Sequence, residues 1–339
     1  MHLEDRVVIL VSGEALIDMV PVAGPGGRAC LRPLPGGSPF NVAMALGRLG
    51  VPVRFLCPLS QDAFGEMLER TLAESGVDLS ACPRTRALTT LGFVSVDPET
   101  GTNRYAFYTD GTAGCALEPG DLPVPLDANI RAVHVGSFAL AVEPFGTAVE
   151  ELVLRHAGER LVAFDPNVRP FLVSDRTAYL RRVRAIAARA DLIKLSSEDL
   201  EWLHPGMDPE EAAAGYLQGG RAALVVVTHG GRGATALTRN ARAGVAAPAV
   251  KVVDTIGAGD TFHAALLAWL AERGALHPAV LSGLGREDLE ELLAFAADAA
   301  AVTCSREGCD PPWRGQMRSA PRHEGEGTAR PPGAPAGLP

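Results

Sequence analysis

The chain has 339 residues, 47% of them hydrophobic and 21% charged, which is ample apolar content for a large globular core. Asp and Glu number 40 against 31 Lys and Arg, leaving a net charge of −9 that repels a phosphate backbone and excludes nucleic acid as the expected partner. Only Lys194 and Lys251 are lysines, and neither stands in the Gly-Lys-Ser/Thr context of a Walker A loop, so that device is excluded too.

In chain order, "VVILVS" (Val7 to Ser12) has the length of a buried strand and is too short for a signal-peptide core. No later apolar run approaches the roughly 18 residues a membrane span needs, so no membrane partner is expected. Asp18, in "GEALIDMV", is either a surface carboxylate or one that binds two vicinal hydroxyls, and the stretch leaves both open. Residues 16–35 carry little helical periodicity. Together with a hairpin over 89–112, turned at "DPETG" (Asp97 to Gly101), they read as extra strands forming a small β lid.

"GGSPFNVAMALGRLG" (Gly36 to Gly50) is a glycine pair entering a helix whose apolar positions are Val42, Ala45, Leu46 and Leu49. Gly36 and Gly37 make either a tight loop or a close backbone approach to a ligand, with Asn41 offering both donor and acceptor.

Further on, the runs "RAVHVGS", "RLVAFDPN", "ADLIKLSS" and "AALVVVTHGG" alternate with helical stretches such as 144–156 and 176–190. That rhythm predicts an α/β fold with a mostly parallel sheet between helical layers. Ligands of such sheets bind beyond the carboxyl ends of the strands, where Asp165, Asn167, Ser196, Asp199, Thr228 and Gly230 all fall. "FDPNVRP" (Phe164 to Pro170) supplies either a buried Asp165–Arg169 pair or a positive charge near phosphates. In "KLSSED", Ser196 and Asp199 match a capping box, while Asp199 or Glu198 alternatively organises magnesium through water.

"DTIGAGDTFHAALLAWLAERG" (Asp254 to Gly274) begins with three small residues, Gly257, Ala258 and Gly259, at the N-terminus of a helix that is apolar nearly all round. Their N–H groups form a natural anion site. Asp260 is either a helix-start carboxylate or a base beside a phosphate in transfer. Phe262 stands where a dinucleotide fingerprint needs its third glycine. The six cysteines show no CxxC spacing and no His-Cys cluster, and read as free thiols of a reducing cytoplasm. The Gly/Pro-rich stretch 314–339 reads as a disordered tail behind one domain over 1–313.

The glycine pair near the start and the anion site with its Asp near the end resemble the two signatures of the ribokinase-like, or phosphofructokinase-B, carbohydrate kinases. "GEALIDMVP", "FDPNVRP", "VVVTHGGRGA" and "AADAAAVTCSREG" fall in that family's order over about 7–312, and the motifs are most similar to its bacterial fructokinases. The resemblance implies a ribokinase-like three-layer α/β/α fold with a β lid, and ATP-dependent phosphorylation of a sugar hydroxyl in the presence of Mg2+.

It also implies roles. Asp260 is the expected base, and Gly257, Ala258 and Gly259 the expected anion hole. Asp18, Gly36, Gly37, Asn41 and Arg169 are expected on the substrate, and Lys194, Thr228, Gly230 and Gly233 on the nucleotide. Asp199 and Glu198 are expected to organise magnesium through water. Asp254, with backbone carbonyls at 305–309, is the expected site of a monovalent cation such as K+. A homodimer through the lid is also implied.

Two positions depart from the family. Ser196-Ser197-Glu198-Asp199 replaces an Asn-x-x-Glu element, and Gly114 stands where fructokinases tend to show Asp. Ribose, 2-keto-3-deoxygluconate or a nucleoside stay open as acceptors, with Arg32 or Arg104 as candidates to meet a carboxylated one. A non-catalytic sugar sensor on the same fold is the second class of reading.

Overall fold

The long apolar runs become neighbouring strands of one eight-stranded sheet. A computed structural model of the protein describes residues 7–96 and 103–317. The strands are β1 (Val8–Ser12), β2 (Leu16–Ala23), β3 (Ala29–Gly36), β4 (Val53–Leu56), β5 (Leu59–Ser60), β6 (Arg84–Thr85), β7 (Leu91–Val96), β8 (Asn103–Tyr108), β9 (Ile130–Gly136), β10 (Leu161–Asp165), β11 (Leu192–Ser196), β12 (Leu224–Thr228), β13 (Ala234–Leu237) and β14 (Arg242–Val245). The helices are α1 (Ser38–Arg48), α2 (Ala63–Glu74), α3 (Phe145–His156), α4 (Arg176–Ala187), α5 (Ser197–Leu203), α6 (Pro209–Gly219), α7 (Ala258–Glu272), α8 (Pro278–Gly283) and α9 (Arg286–Cys304).

The main sheet runs β14-β13-β12-β11-β10-β9-β1-β4. Six strands are parallel, and β13 and β14 close one edge antiparallel. Every residue of β1 and β10 is buried, as unalternating apolar runs require of strands covered on both faces. The chain leaves β1 for β4 in one direction and steps from β9 to β12 in the other. Right-handed crossovers therefore put α1 on one face and α3, α4 and α6 on the opposite face. α7 packs against α1 and α9, completing three layers. All residues from Asp260 to Leu270 of α7 are buried, so this helix is part of the core.

The two segments without helical periodicity form a separate four-stranded sheet in the order β3-β2-β7-β8. This is the predicted lid; its "DPETG" turn lies outside the described residues. The predicted tail begins four residues too early. Arg314 is paired with Glu272 and stacked over Phe295, and Met317 is buried, so 314–317 belong to the folded body, while 318–339 lie outside the described residues. The six cysteines are free thiols. No helix among the described residues is long and apolar enough to cross a membrane.

Beneath the strand ends, His134 of β9 and His263 of α7 meet with tilted rings, their centroids 4.5 Å apart. Both are buried, and His134 Nδ1 and both nitrogens of His263 have no partner among the described residues. Burial, with Lys194 nearby, pushes His134 down to about 3, and burial with His134 and Lys194 pushes His263 well below its ordinary value. An unfolded imidazole takes a proton near pH 6.5 and these folded ones do not, so their contribution to stability is lost as pH falls below that value. The variant His263→Leu removes one such site and no made hydrogen bond. It should gain on the parent by about 1.4 kcal/mol per pH unit as pH falls from about 6.5 to 4.5, read from urea melts. Parallel pH dependences for the two proteins would mean that His263 charges within the fold.

Candidate active site

Two cavities open beyond the carboxyl ends of the strands and share Thr255 and Gly259. The first, about 510 Å³, is lined by acidic, amide and aromatic side chains; the second, about 550 Å³, is lined mainly by apolar ones. The turn from Gly257 into α7 is the partition between them.

That turn forms because Gly257 adopts φ +73° as the cap residue of α7, a conformation costly for other residues. A Cβ there would also collide with Cys309 Sγ. Helix geometry leaves the first N–H groups without intrahelical acceptors. Ala258 N–H turns back to Thr255 O at 3.3 Å, which leaves Gly257 and Gly259 as the better anion donors of the predicted three. Asp260 sits at the third position of the helix, facing the first cavity. Its Oδ1 accepts from Ser38 Oγ at 2.6 Å and its Oδ2 from Asn41 Nδ2 at 2.8 Å. Asn167 Nδ2 approaches Oδ1 at 3.5 Å. Asn41 therefore touches the predicted base as well as lining the cavity.

Asp18 reaches the same cavity from the lid strand β2. Gly36 and Gly92 make room for it: a Cβ on either would lie 2.7 Å from one of its carboxylate oxygens. Burial raises Asp18 to about 6, opposed by Arg169. Arg169 donates to Asn167 Oδ1 at 2.6 Å and lines this cavity too. Phe107 of the lid stacks on Phe171 at 5.6 Å and meets Phe138 at 5.9 Å, giving the cavity an apolar wall.

Of the two readings of "FDPNVRP", the Asp165–Arg169 pair does not form. Asp165 accepts from Lys194 Nζ at 2.9 Å, with both side chains buried. Burial raises Asp165 to about 6, while burial works against the charge of Lys194 and is outweighed by Asp165, Asp199 and Asp260 around it. Lys194 lines the first cavity and not the second, and a Cβ on Gly259 would lie 3.4 Å from its Nζ. It therefore sits at the partition and does not line the cavity of Thr228, Gly230 and Gly233, where the sequence placed it.

Asp199 and Glu198 line neither cavity. Asp199 Oδ2 accepts from Ser196 N and Oγ, each at 2.8 Å, and its Oδ1 from Val168 N at 2.7 Å. The capping box is the reading the structure bears out, and Asp199 is spent on it. Glu198 faces a shallow surface depression beside Arg176 and Trp202. Asp254 ties two turns together, accepting from Ile256 N and Gly308 N, each at 3.0 Å. Among the described residues no three His, Cys, Asp or Glu side chains cluster to hold a metal ion.

The sequence reading assigned nothing to Glu14, although it follows β1 directly. Glu14 is buried, lines the first cavity and is raised to about 7 by burial, against hydrogen bonds from Ser137, Ala139 and Ser38. Gly114 lies away from both cavities; its Cβ would collide with Ala15 O, so the departure there is a packing matter.

Residues 9–314 match the model of the pfkB family of carbohydrate kinases. The chain belongs to that family, and is an enzyme that phosphorylates sugars. It is 42% identical over 263 residues to a fructokinase of Rhizobium leguminosarum bv. trifolii, covering 78% of this chain and 79% of the relative. Its fold superposes with a TM-score of 0.82 on a crystal structure of fructokinase with bound ATP from Xylella fastidiosa, 31% identical, covering 89% of this chain and 93% of that one. A fructokinase from Vibrio cholerae O395, solved with fructose, ADP and calcium ion, superposes with a TM-score of 0.74 at 27% identity over 90% of this chain and 95% of that one.

Removing one partner of a buried ion pair strands the other charge. Lys194→Met should cost about 3–5 kcal/mol in urea unfolding. Adding Asp165→Leu should recover most of the loss. A parent-like unfolding midpoint for Lys194→Met alone would show that Asp165 is not held as a buried anion.

Proposed function

We propose that the protein transfers the terminal phosphoryl group of ATP to a hydroxyl of a ketohexose, with fructose the leading acceptor and Asp260 the base. The observation that carries this reading is the position of Asp260. It stands one residue after the donor turn that separates a polyol-suited cavity from an apolar one. The apolar cavity, with Thr228, Gly230 and Gly233 at its mouth and Phe262 and Ala297 along its wall, suits the flat ring of a nucleotide. In the other, Asp18 takes two neighbouring hydroxyls and Gly36, Gly37 and Asn41 complete the sugar contacts.

The acceptor hydroxyl then lies between Asp260 and the terminal phosphate. Its oxygen forms the new bond to phosphorus, the bond from phosphorus to the bridging oxygen breaks, and the hydroxyl proton passes to Asp260, leaving ADP. Gly257 and Gly259 N–H groups and the Lys194 ammonium stabilise the charge on the transferred group. Arg169 adds a cation on the sugar side. Magnesium carried on the phosphates would neutralise charge on the nucleotide. The Asp254 carboxylate and the 305–309 turn are the place for K+.

Arg32 is paired with Glu307, so it is not free to meet a carboxylated acceptor; Arg104 lies outside the residues whose side chains are described. The intact base and turn argue against a non-catalytic sensor. Exposed Leu31 and Tyr108 on the lid support a homodimer through that sheet, and six free thiols support a cytoplasmic setting.

Asp260→Asn should lower kcat by ~10²–10⁴ with an unchanged melting temperature, the range for losing a general base. Turnover at the parent rate would sink the assignment. ADP release measured across fructose, ribose, tagatose, 2-keto-3-deoxygluconate and adenosine should favour fructose; a preference for another would move the sugar contacts and leave the base. Asp18 is ionised above about pH 6 and protonated below it. KM for the sugar should therefore rise as pH falls through that value, and Asp18→Asn should have a high KM with no such rise. A pH-independent parent KM would remove Asp18 from the sugar.

A further inference from the structure

Ser38 is the first residue of α1, where a serine would usually cap the helix with its own hydroxyl. Here the cap position is Gly37 and no side-chain cap exists. The Ser38 hydroxyl instead crosses 222 residues of sequence to donate to Asp260 Oδ1 at 2.6 Å, and this is the shorter of the two close bonds the carboxylate accepts. The backbone N–H of Ser38 donates to Glu14 Oε1 at 3.1 Å. Glu14 Oε2 accepts from Ala139 N at 3.3 Å, and Glu14 is only 1% exposed. A buried carboxylate after β1 thus joins the start of α1 to the segment after β9, and the start of α1 holds the start of α7.

We propose that Ser38, braced by Glu14, is the positioning residue of the base: its hydroxyl sets the orientation of the Asp260 carboxylate toward the acceptor. This rests on Asp260 being the base. Asp260 can turn about two side-chain torsions even when its backbone is fixed by the helix. One bond from Ser38 to Oδ1 and one from Asn41 to Oδ2 remove that freedom. Oδ2 keeps a second lone pair for a hydroxyl in the cavity, while Asn167 Nδ2 approaches that of Oδ1 at 3.5 Å. Asn41 alone is a weaker clamp, since its own Oδ1 has no partner among the described residues. Glu14 touches the base only through Ser38, so its part is to keep the first turn of α1 in register.

The test uses Ser38→Ala, Asp260→Asn and the double variant in the full-length chain, by single-turnover quench and steady-state kinetics with ATP, Mg2+ and fructose. Ser38→Ala should lower kcat ~10-fold, the size expected of a loosened reacting group, while KM for the sugar stays within about 2-fold and the melting temperature is unchanged. In the Asp260→Asn background the same change should have no further effect, because it acts through the missing carboxylate. Glu14→Gln, which keeps the shape and loses one acceptor, should lower kcat in the same way and add little to Ser38→Ala. A parent-like kcat in Ser38→Ala would overturn the proposal. So would a loss confined to KM, or a full 10-fold loss retained in the Asp260→Asn background. Parent-rate turnover by Asp260→Asn alone would instead remove the base assignment beneath it, so the two failures are distinct.

Discussion

Everything in this site hangs on the burial of one helix start. α7 is core along nearly its whole length, yet its first turn is the partition between two cavities. A buried helix must find acceptors for its first N–H groups or leave them for a ligand. Here they are left at a cavity edge, and the dipole adds to their attraction for an anion. Asp260 on the same turn would be an odd choice for the core alone. Its two closest polar partners come from another helix, which ties this carboxylate to the packing of α1 on α7.

The electrostatics follow from that choice. Glu14, Asp18, Asp165 and Asp260 all border the first cavity or its floor, and the main cations against them are Lys194 and Arg169. Burial pushes Glu14, Asp18 and Asp165 upward, so the folded state holds charge at some cost in stability. Lys194 offsets part of that cost for Asp165 from beneath the donor turn. In a chain with only two lysines, one is therefore committed to a buried position where a compact ammonium meets an acid at the edge of the first cavity.

The parts of this arrangement readable from sequence are those encoded locally. The buried strands show as unalternating apolar runs, α1 and α7 as glycine-led apolar helices, and the lid as two segments lacking helical periodicity. The donor turn shows as a glycine-alanine-glycine entry to so apolar a helix. The alternatives left open locally are decided by hydrogen bonds and by pairing between strands. Asp165 has Arg169 four residues away in sequence, but parallel pairing of Phe164 with Ile193 puts Lys194 beside it on the next strand. Ser196 and Asp199 fit two patterns equally well, and only the hydrogen bonds of Asp199 to Ser196 and Val168 separate them. Glu14 and Ser38 gave no local sign, since their meaning lies in a contact between α1 and α7.

The proposed base, Asp260, is carried on the same turn as the proposed donors Gly257 and Gly259, so the helix fixes where its backbone sits relative to them. Its side-chain torsions are not fixed in that way. A carboxylate free to rotate would spend much of its time turned from the acceptor, and phosphoryl transfer, which gains chiefly from alignment, would lose in proportion. The start of α1 supplies what α7 lacks: two donors at 2.6 and 2.8 Å, one on each carboxylate oxygen. The same helix start carries Gly36 and Gly37 to the lining of the first cavity. One element thus holds the Asp260 carboxylate and forms part of the cavity wall beside it, so the two are placed relative to each other by the packing of a single helix start.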